Sequence, residues 1–267
     1  MMLSHDLAGQ GHLTIVLLHS GVCDRRMWDT QFAALTAAGY RVVRCDLRGF
    51  GETPVDRPHT HCDDVVELLD ALGVERAALV GSSFGGEVAL ETAVRHPGRV
   101  SALALLCAGM PGFAASDELR AWGRREDELL EAGDIDGAVA LNVDTWLGPD
   151  ADDEARARVR VMQRRAFDIQ LAAPAEFRPV DAGVASADLA GIDVPCLVVS
   201  GAHDVPDFRE MATRLADLLP DAQYLDLEWA GHLPALERPD ETAKLLAEFL
   251  TGVGGDGAAT APSVSGR

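Results

Sequence analysis

The sequence lacks a long apolar run and a surplus of basic residues, and we expect no secretory signal; each of these features argues against a class of protein. No apolar stretch approaches the roughly 20 residues of a membrane-spanning helix. Residues 1–10 contain neither a basic segment nor a cleavage site. The 43 acidic residues outnumber the 23 Lys and Arg, and the resulting net charge of −20 repels nucleic acids and anionic membranes. We expect neither as a partner, and the oligomeric state stays open.

Paired cysteines are also lacking. The five cysteines are odd in number and widely spaced, and the eight histidines show no metal-ligand spacing with them. We therefore expect buried, reduced thiols, no metal site and a cytoplasmic protein. The cysteines are Cys23, Cys45, Cys62, Cys107 and Cys196.

The chain does contain a regular alternation of apolar and helical segments. Four strand-and-helix repeats from residue 13 onward predict an α/β protein with a mostly parallel, doubly wound sheet. Near the end of the chain, Asp207 and Glu210 have the spacing of a capping box and predict the start of another helix. The predicted buried strands cover residues 13–18, 41–45, 77–80, 102–107, 196–200 and 223–227.

The alternation breaks in the middle of the chain. Residues 113–190 show helical patterns without a convincing strand, and we interpret them as a helical cap inserted after the sixth sheet strand. Residues 1–112 and 191–251 would then form the core. The small residues of 252–267 predict a disordered tail.

Ser83 is the candidate nucleophile. It stands at the centre of a G-x-S-x-G motif, Gly81–Gly85, with an apolar run before it and a helical pattern after it. A strand, a sharp turn and a helix in this order lift a serine hydroxyl out of the backbone at the carboxyl end of the strand. The alternative is a glycine-rich strand-to-helix connection that has no catalytic role.

A serine nucleophile needs a base, and the base needs an orienting carboxylate. Asp204 and His232 each follow a predicted strand, so both should lie at the sheet edge where Ser83 emerges. The chain order of serine, aspartate and histidine is the order found in α/β-hydrolases. His203 is an alternative base, although Asp204 would then have no role.

The oxyanion that forms on an attacked carbonyl needs two fixed N–H donors. The backbone N–H of Phe84 is one candidate, because this residue begins the helix after Ser83. The second should come from the loop after the first buried strand, from Gly21 or, failing that, from Val22. The alternative interpretation of this loop is a tight turn.

Five motifs in order resemble the α/β-hydrolase superfamily over residues 13–112 and 191–250. The resemblance implies an α/β-hydrolase fold, a Ser–His–Asp triad, a helical cap and no cofactor. Met27–Asp29 and Gly231–Pro234 further resemble the 3-oxoadipate enol-lactonase-like group of esterases and lactonases. The five motifs are His19-Ser20-Gly21, Asp46–Gly51, Gly81–Gly86, Gly201–Asp204 and Gly231-His232.

Candidate pocket residues are mostly aromatic. Trp28 follows the oxyanion loop, and Trp122, Trp146 and Phe167 lie in the predicted cap. Packing of helix faces is the alternative for the cap residues, and the core is the alternative for Trp28. An arginine run that includes Arg164 and Arg165 is either a solvated face or a recognition site for a substrate carboxylate.

These features together predict a cofactor-independent serine hydrolase that cleaves a small carboxylic ester or lactone through an acyl-enzyme. Carbon–carbon bond hydrolysis, haloperoxidase-like chemistry and lyase chemistry on the same three residues stay open. A protein of a different class, a non-catalytic binder of a small ligand, is the remaining alternative.

Overall fold

The computed structural model of the protein describes residues 1–255 and contains one seven-stranded sheet. The strand order is β1-β3-β2-β4-β5-β6-β7, and β1 is antiparallel to its neighbour while all other pairs are parallel. This is the predicted α/β-hydrolase sheet. The strands are β1 His5–Ala8, β2 Thr14–Leu18, β3 Arg41–Cys45, β4 Ala77–Ser82, β5 Val100–Leu106, β6 Cys196–Gly201 and β7 Ala222–Leu227.

Helices cover both faces of the sheet, which explains the apolar composition of its central strands. Every residue of β2 and β4 is buried, as expected for parallel strands between two helical layers. One face packs against α2, α3 and α7, and the other packs against α1 and α9. The helices are α1 Asp29–Ala37, α2 His61–Ala71, α3 Phe84–Arg95, α4 Asp117–Glu131, α5 Ile135–Trp146, α6 Asp153–Ala172, α7 Pro206–Leu218, α8 Pro234–Glu237 and α9 Pro239–Gly255.

The segment between β5 and β6 contains α4, α5 and α6, and we call it the helical insert. Its apolar side chains, such as Val143 and Met162, join the core on the α1 and α9 side. The insert follows the fifth strand and not the sixth, which corrects the prediction. One antiparallel strand, β1, precedes β2 in the described sheet, in agreement with the single edge strand that the sequence predicts at residues 2–7. The division into core and cap domains stays a prediction.

The end of α9 also differs from the prediction. Residues 252–255 are helical, although the sequence had placed them in a disordered tail, and the rest of that predicted tail lies outside the described residues. Within residues 1–255, no helix combines the length and the apolar character that a membrane crossing requires.

Asp207 does not form the predicted capping box with Glu210. The helix begins one residue earlier, at Pro206, and no side chain caps it. The Asp207 carboxylate instead accepts hydrogen bonds from the Ser116 backbone N–H and from the Ser116 hydroxyl, both at 2.7 Å. Ser116 in turn caps α4 by accepting from the N–H of Leu119. Asp207 therefore ties the start of the helical insert to a core helix.

This contact predicts that Asp207→Ala lowers the free energy of unfolding by about 2 kcal/mol, because Ser116 would lose two hydrogen bonds to a charged acceptor. Urea unfolding followed by circular dichroism measures the change. Glu210→Ala is the matched control, and it should shift stability by about 0.5 kcal/mol or less because Glu210 is exposed and forms a surface ion pair with Arg214. Equal losses in the two variants would favour the capping box after all.

Candidate active site

Ser83 lies on a sharp turn between β4 and α3. Its backbone has φ 52° and ψ −116°, a conformation that a residue with a side chain rarely adopts. Strain of this kind persists only where the surroundings enforce it, and it collects at functional sites. The strand–turn–helix geometry predicted from the G-x-S-x-G motif is therefore present.

The glycines of the motif are needed because backbones meet closely at this turn. A Cβ atom on Gly85 would lie 2.3 Å from the carbonyl oxygen of Leu18, and one on Gly81 would lie 2.3 Å from the carbonyl oxygen of Gly85. Neither distance is tolerable between non-bonded atoms. The tight turn therefore packs directly against the end of β2, which leads into the predicted oxyanion loop.

The structure brings Ser83, His232 and Asp204 together in one hydrogen-bonded chain. The Ser83 Oγ lies 2.7 Å from Nε2 of His232, and Nδ1 of His232 lies 2.8 Å from Oδ2 of Asp204. A carboxylate can only accept, so the Nδ1 proton points to Asp204 and Nε2 accepts the hydroxyl proton of Ser83. The alternative base, His203, is exposed.

Two aromatic rings enclose the imidazole of His232. The Trp146 ring centre lies 4.7 Å from it, and the Phe208 ring centre lies 4.3 Å from it. Trp146 comes from the helical insert and Phe208 from α7, so both layers hold the ring. The side chains of His232 and Asp204 are only 3% and 2% exposed, which strengthens the hydrogen bond between them by excluding water.

Glu237 supports the loop that carries His232, and the sequence analysis missed this residue. Its carboxylate accepts hydrogen bonds from the N–H of Gly231 at 2.7 Å and from the N–H of Leu233 at 3.0 Å. These two N–H groups flank His232 on either side. Burial raises the pKa of Glu237, while the N–H donors favour its charged form. The signal available in the sequence was an acidic residue, Glu237, five positions after the candidate histidine, His232.

The same loop touches the helical insert through two glycines. A Cβ atom on Gly231 would lie 2.5 Å from the Cα atom of Gly148, which follows α5. A Cβ atom on Gly148 would lie 2.4 Å from the Glu237 carboxylate. The insert and the His232 loop are therefore in backbone contact.

His19 organises the predicted oxyanion loop. Its Nε2 accepts from the N–H of Leu47 at 3.0 Å, so its Nδ1 carries the proton and donates to the carbonyl of Ser20 at 2.8 Å. Burial lowers the pKa of His19 and keeps the ring neutral, as both hydrogen bonds require. The two hydrogen bonds of His19 therefore fix the start of the loop that contains Gly21 and Val22.

The three predicted oxyanion donors surround Ser83. Phe84 is the first residue of α3, where a backbone N–H has no partner within the helix. Gly21 and Val22 line the same cavity as Ser83. In the part of the chain that is described, no acceptor occupies the N–H of either residue. This arrangement can stabilise negative charge beside Ser83.

Ser83 and His232 open into a cavity of about 230 Å³ under the helical insert. Three of the four predicted pocket residues, Trp122, Trp146 and Phe167, line this cavity. The fourth prediction, Trp28, is wrong. Its side chain is completely buried in the core on the α1 side of the sheet, because the turn of 3₁₀ helix at Arg25–Trp28 directs it inward.

The sequence analysis missed the polar residues of the cavity wall. They lie one helical turn from a predicted aromatic residue, so the i, i+3 or i, i+4 spacing was the signal that could have found them. Glu126 follows Trp122 in this way, and Asn142 and Gln163 precede Trp146 and Phe167. The missed polar lining residues on the insert are Glu126, Asn142, Gln163 and Gln170.

The arginine run of α6 does not reach the cavity. Arg164 pairs with Asp136 and Asp168 on the outer face of the insert. Arg165 donates to the carbonyl of Gly51 and lines a separate surface groove. The structure therefore gives neither side chain a position from which it could bind a carboxylate beside Ser83.

Within the described residues, one cluster offers three potential metal ligands close together: Cys107, Asp204 and His232, whose ligand atoms lie within 4.8 Å of one another. Both ring nitrogens of His232 already take part in the hydrogen-bonded chain. Burial raises the pKa of the Cys107 thiol well above its usual value, so it stays protonated and is a poor ligand. This chemistry does not suit a metal centre.

A mostly parallel sheet with a serine on a strained turn after β4 is the architecture of an α/β-hydrolase. The sequence model of the alpha/beta hydrolase family matches residues 15–245. The chain belongs to this family, and it is a hydrolase.

The names of similar proteins indicate that they hydrolyse different kinds of bond. The chain is 34% identical over 80% of its length to 2-hydroxymuconate semialdehyde hydrolase of Pseudomonas sp. (strain CF600), of which it covers 77%. It is 30% identical over 96% of its length to a putative carbamate hydrolase, RutD, of Variovorax paradoxus (strain S110), of which it covers 99%. The solved enol-lactonase from Burkholderia xenovorans LB400 superposes with a TM-score of 0.77 at 28% identity, with 93% of this chain and 96% of that chain covered.

The contacts of Glu237 predict that Glu237→Gln lowers the free energy of unfolding by about 2 kcal/mol, because an amide cannot accept from all the N–H groups that now point at the carboxylate. The same change should slow the reaction of Ser83 with a fluorophosphonate roughly tenfold, because His232 loses its support. Urea unfolding and labelling time courses measure the two effects.

Glu241→Gln is the matched control, because Glu241 is exposed and pairs with Arg238 at the surface. It should change neither stability nor labelling. A Glu237→Gln protein that unfolds and reacts like the native chain would contradict the supporting role.

Proposed function

We propose that the protein is a cofactor-independent serine hydrolase that cleaves a small carboxylic ester or lactone through an acyl-enzyme. The observation that carries this proposal is the unbroken hydrogen-bonded chain from Ser83 through His232 to Asp204, which opens into a cavity beside unpaired N–H groups. In this proposal Ser83, His232 and Asp204 form the catalytic triad.

Acylation starts with the Ser83 hydroxyl. As its Oγ bonds to the carbonyl carbon, its proton passes to Nε2 of His232, and the carbonyl electron pair moves onto oxygen. The N–H of Phe84, with that of Gly21 or Val22, binds the resulting oxyanion. When the oxyanion collapses, the bond to the leaving alkoxide breaks, and the alkoxide takes the proton from His232. Asp204 stabilises the imidazolium between these two transfers.

Deacylation repeats the sequence with water. Nε2 of His232 takes a proton from water while the water oxygen bonds to the acyl carbon, and the same N–H groups hold the second oxyanion. Its collapse breaks the bond to Ser83, whose Oγ recovers the proton from His232. An open-chain ester yields an acid and an alcohol, whereas a lactone yields a single hydroxy acid.

An ester or lactone suits the described cavity. About 230 Å³ around Ser83 accommodates a small acyl group, and aromatic rings form much of the wall. The similarity to a solved enol-lactonase supports the lactone in particular. Carbon–carbon bond hydrolysis on the same residues is the second candidate, and the identity of 34% to 2-hydroxymuconate semialdehyde hydrolase favours it. Turnover of vinylogous diketones compared with p-nitrophenyl esters and lactones distinguishes the two.

The proposal predicts that a fluorophosphonate probe labels the native protein and that Ser83→Ala abolishes both labelling and the hydrolysis of short p-nitrophenyl esters. Loss of the nucleophile should lower kcat at least roughly thousandfold. Intact-mass spectrometry detects the adduct, and release of p-nitrophenolate measures turnover.

Ser82→Ala is the matched control for this experiment. Ser82 is the adjacent residue, and its completely buried hydroxyl has no hydrogen-bond partner in the described chain, so its removal should leave labelling intact. A folded native protein that resists labelling and cleaves no ester would contradict the proposed hydrolysis. Tight binding of a small ester without turnover would then support the non-catalytic binder.

A further inference from the structure

An acidic side chain faces the catalytic cavity; burial raises the pKa of this carboxyl group, Glu126, while the hydrogen bond from Asn142 favours its charged form. Apart from His232, Glu126 is the only ionisable side chain among the described residues that line it, and no lysine or arginine lines it. Glu126 lies on α4 in the helical insert, one helical turn after Trp122. A substrate bound at Ser83 therefore shares its cavity with one carboxylate and with no cation from the insert.

Glu126 is held in place by the cavity wall. Asn142 on α5 donates its side-chain N–H to the Glu126 carboxylate, and the Asn142 carbonyl accepts from the indole N–H of Trp146 at 3.0 Å. The indole N–H of Trp122 is used by Thr145 at 2.9 Å. These wall donors are therefore already paired, whereas Glu126 keeps acceptor capacity for a ligand.

Glu126 also marks the junction with a second cavity of about 500 Å³, which Phe50, Phe167 and Gln170 share with the first. A longer substrate that reaches from Ser83 into this space passes Glu126. The second cavity supplies little positive charge near that junction. Burial lowers the pKa values of its two histidines, His59 and His61, that of His61 to about 3, so both are neutral.

Two arginines line the second cavity, and neither lines the cavity that contains Ser83. Arg48 is buried and makes ion pairs with Asp64 and Asp56, so its charge is already matched. Arg178 is exposed to solvent and does not line the cavity that contains Ser83. A carboxylate on the substrate would therefore meet Glu126 without a free buried cation to compensate.

We propose that Glu126 determines the substrate class of this site: esters and lactones that are neutral or carry a hydrogen-bond donor such as an ammonium, amide or hydroxyl group, and not those that carry a carboxylate. This inference rests on the proposed hydrolase function. A donor group forms a charge-assisted hydrogen bond with Glu126, whereas the charged form of Glu126 repels a carboxylate, which also loses part of its hydration on entering the cavity. Rejection by like charge is a common basis of specificity.

Three p-nitrophenyl esters of matched chain length test the proposal: the heptanoate, which is neutral, the aminocaproate, which carries an ammonium, and the monoester of adipic acid, which carries a carboxylate. The native protein should cleave the heptanoate and the aminocaproate with a kcat/KM roughly tenfold or more above that of the adipate. Glu126→Gln should bring the three values together, chiefly by improving the adipate.

Glu128→Gln is the matched control. It removes the same charge two residues further along α4, at an exposed position where Glu128 pairs with Arg125, and it should preserve the native order of the esters. Arg178→Gln should preserve it too, because the proposal gives Arg178 no role in selection. Thermal unfolding of each variant establishes that the fold is intact.

Two results would overturn the proposal: native cleavage of the adipate as fast as the heptanoate, or an ester order that Glu126→Gln leaves unchanged. A failure of the proposed function looks different. In that case no ester is cleaved and the folded native protein is not labelled by a fluorophosphonate, so the inference about substrate class falls with the function on which it rests.

Discussion

The hydrogen bond between Asp204 and His232 is the contact on which the rest of the site depends. It joins the loop after β6 to the loop after β7 and fixes the Nδ1 side of the imidazole, so that Nε2 faces Ser83. Adjacent parallel strands bring these two loops to one edge of the sheet. The strained turn at Ser83, the Glu237 carboxylate and the two aromatic rings then hold the remaining partners within hydrogen-bonding distance.

The helical insert contributes to more than the cavity wall. Trp146 packs on the imidazole of His232, and Ser116 at the start of the insert is bound by Asp207 of a core helix. The hydrogen bond to the Asp207 carboxylate thus anchors the start of the insert, and the packing of Trp146 on His232 anchors its middle. Because the insert also carries Glu126, the same segment forms part of the cavity wall and packs against the imidazole of His232.

The sequence revealed the site better than it revealed the cavity. Ser83, Asp204 and His232 follow strands and lie in glycine-containing turns, which are local signals, and parallel strands bring such turns to one edge. Trp28 was beyond local reasoning, because a sequence pattern does not say whether a residue after a loop turns inward. Glu126 could be found only through its i, i+4 spacing from Trp122, because an amphipathic pattern alone does not say how a helix is rotated about its axis. At Asp207, a tertiary partner on the insert outcompeted the local cap that the spacing suggested.

The contact between Gly148 and Gly231 limits how this enzyme could be redesigned. The two backbones approach so closely that a methyl group on either residue would overlap the other segment. A side chain on either residue would therefore push the insert and the loop of His232 apart. A foreign insert grafted in its place would need a glycine at this same point, so the sequences of the insert and of the His232 loop constrain each other.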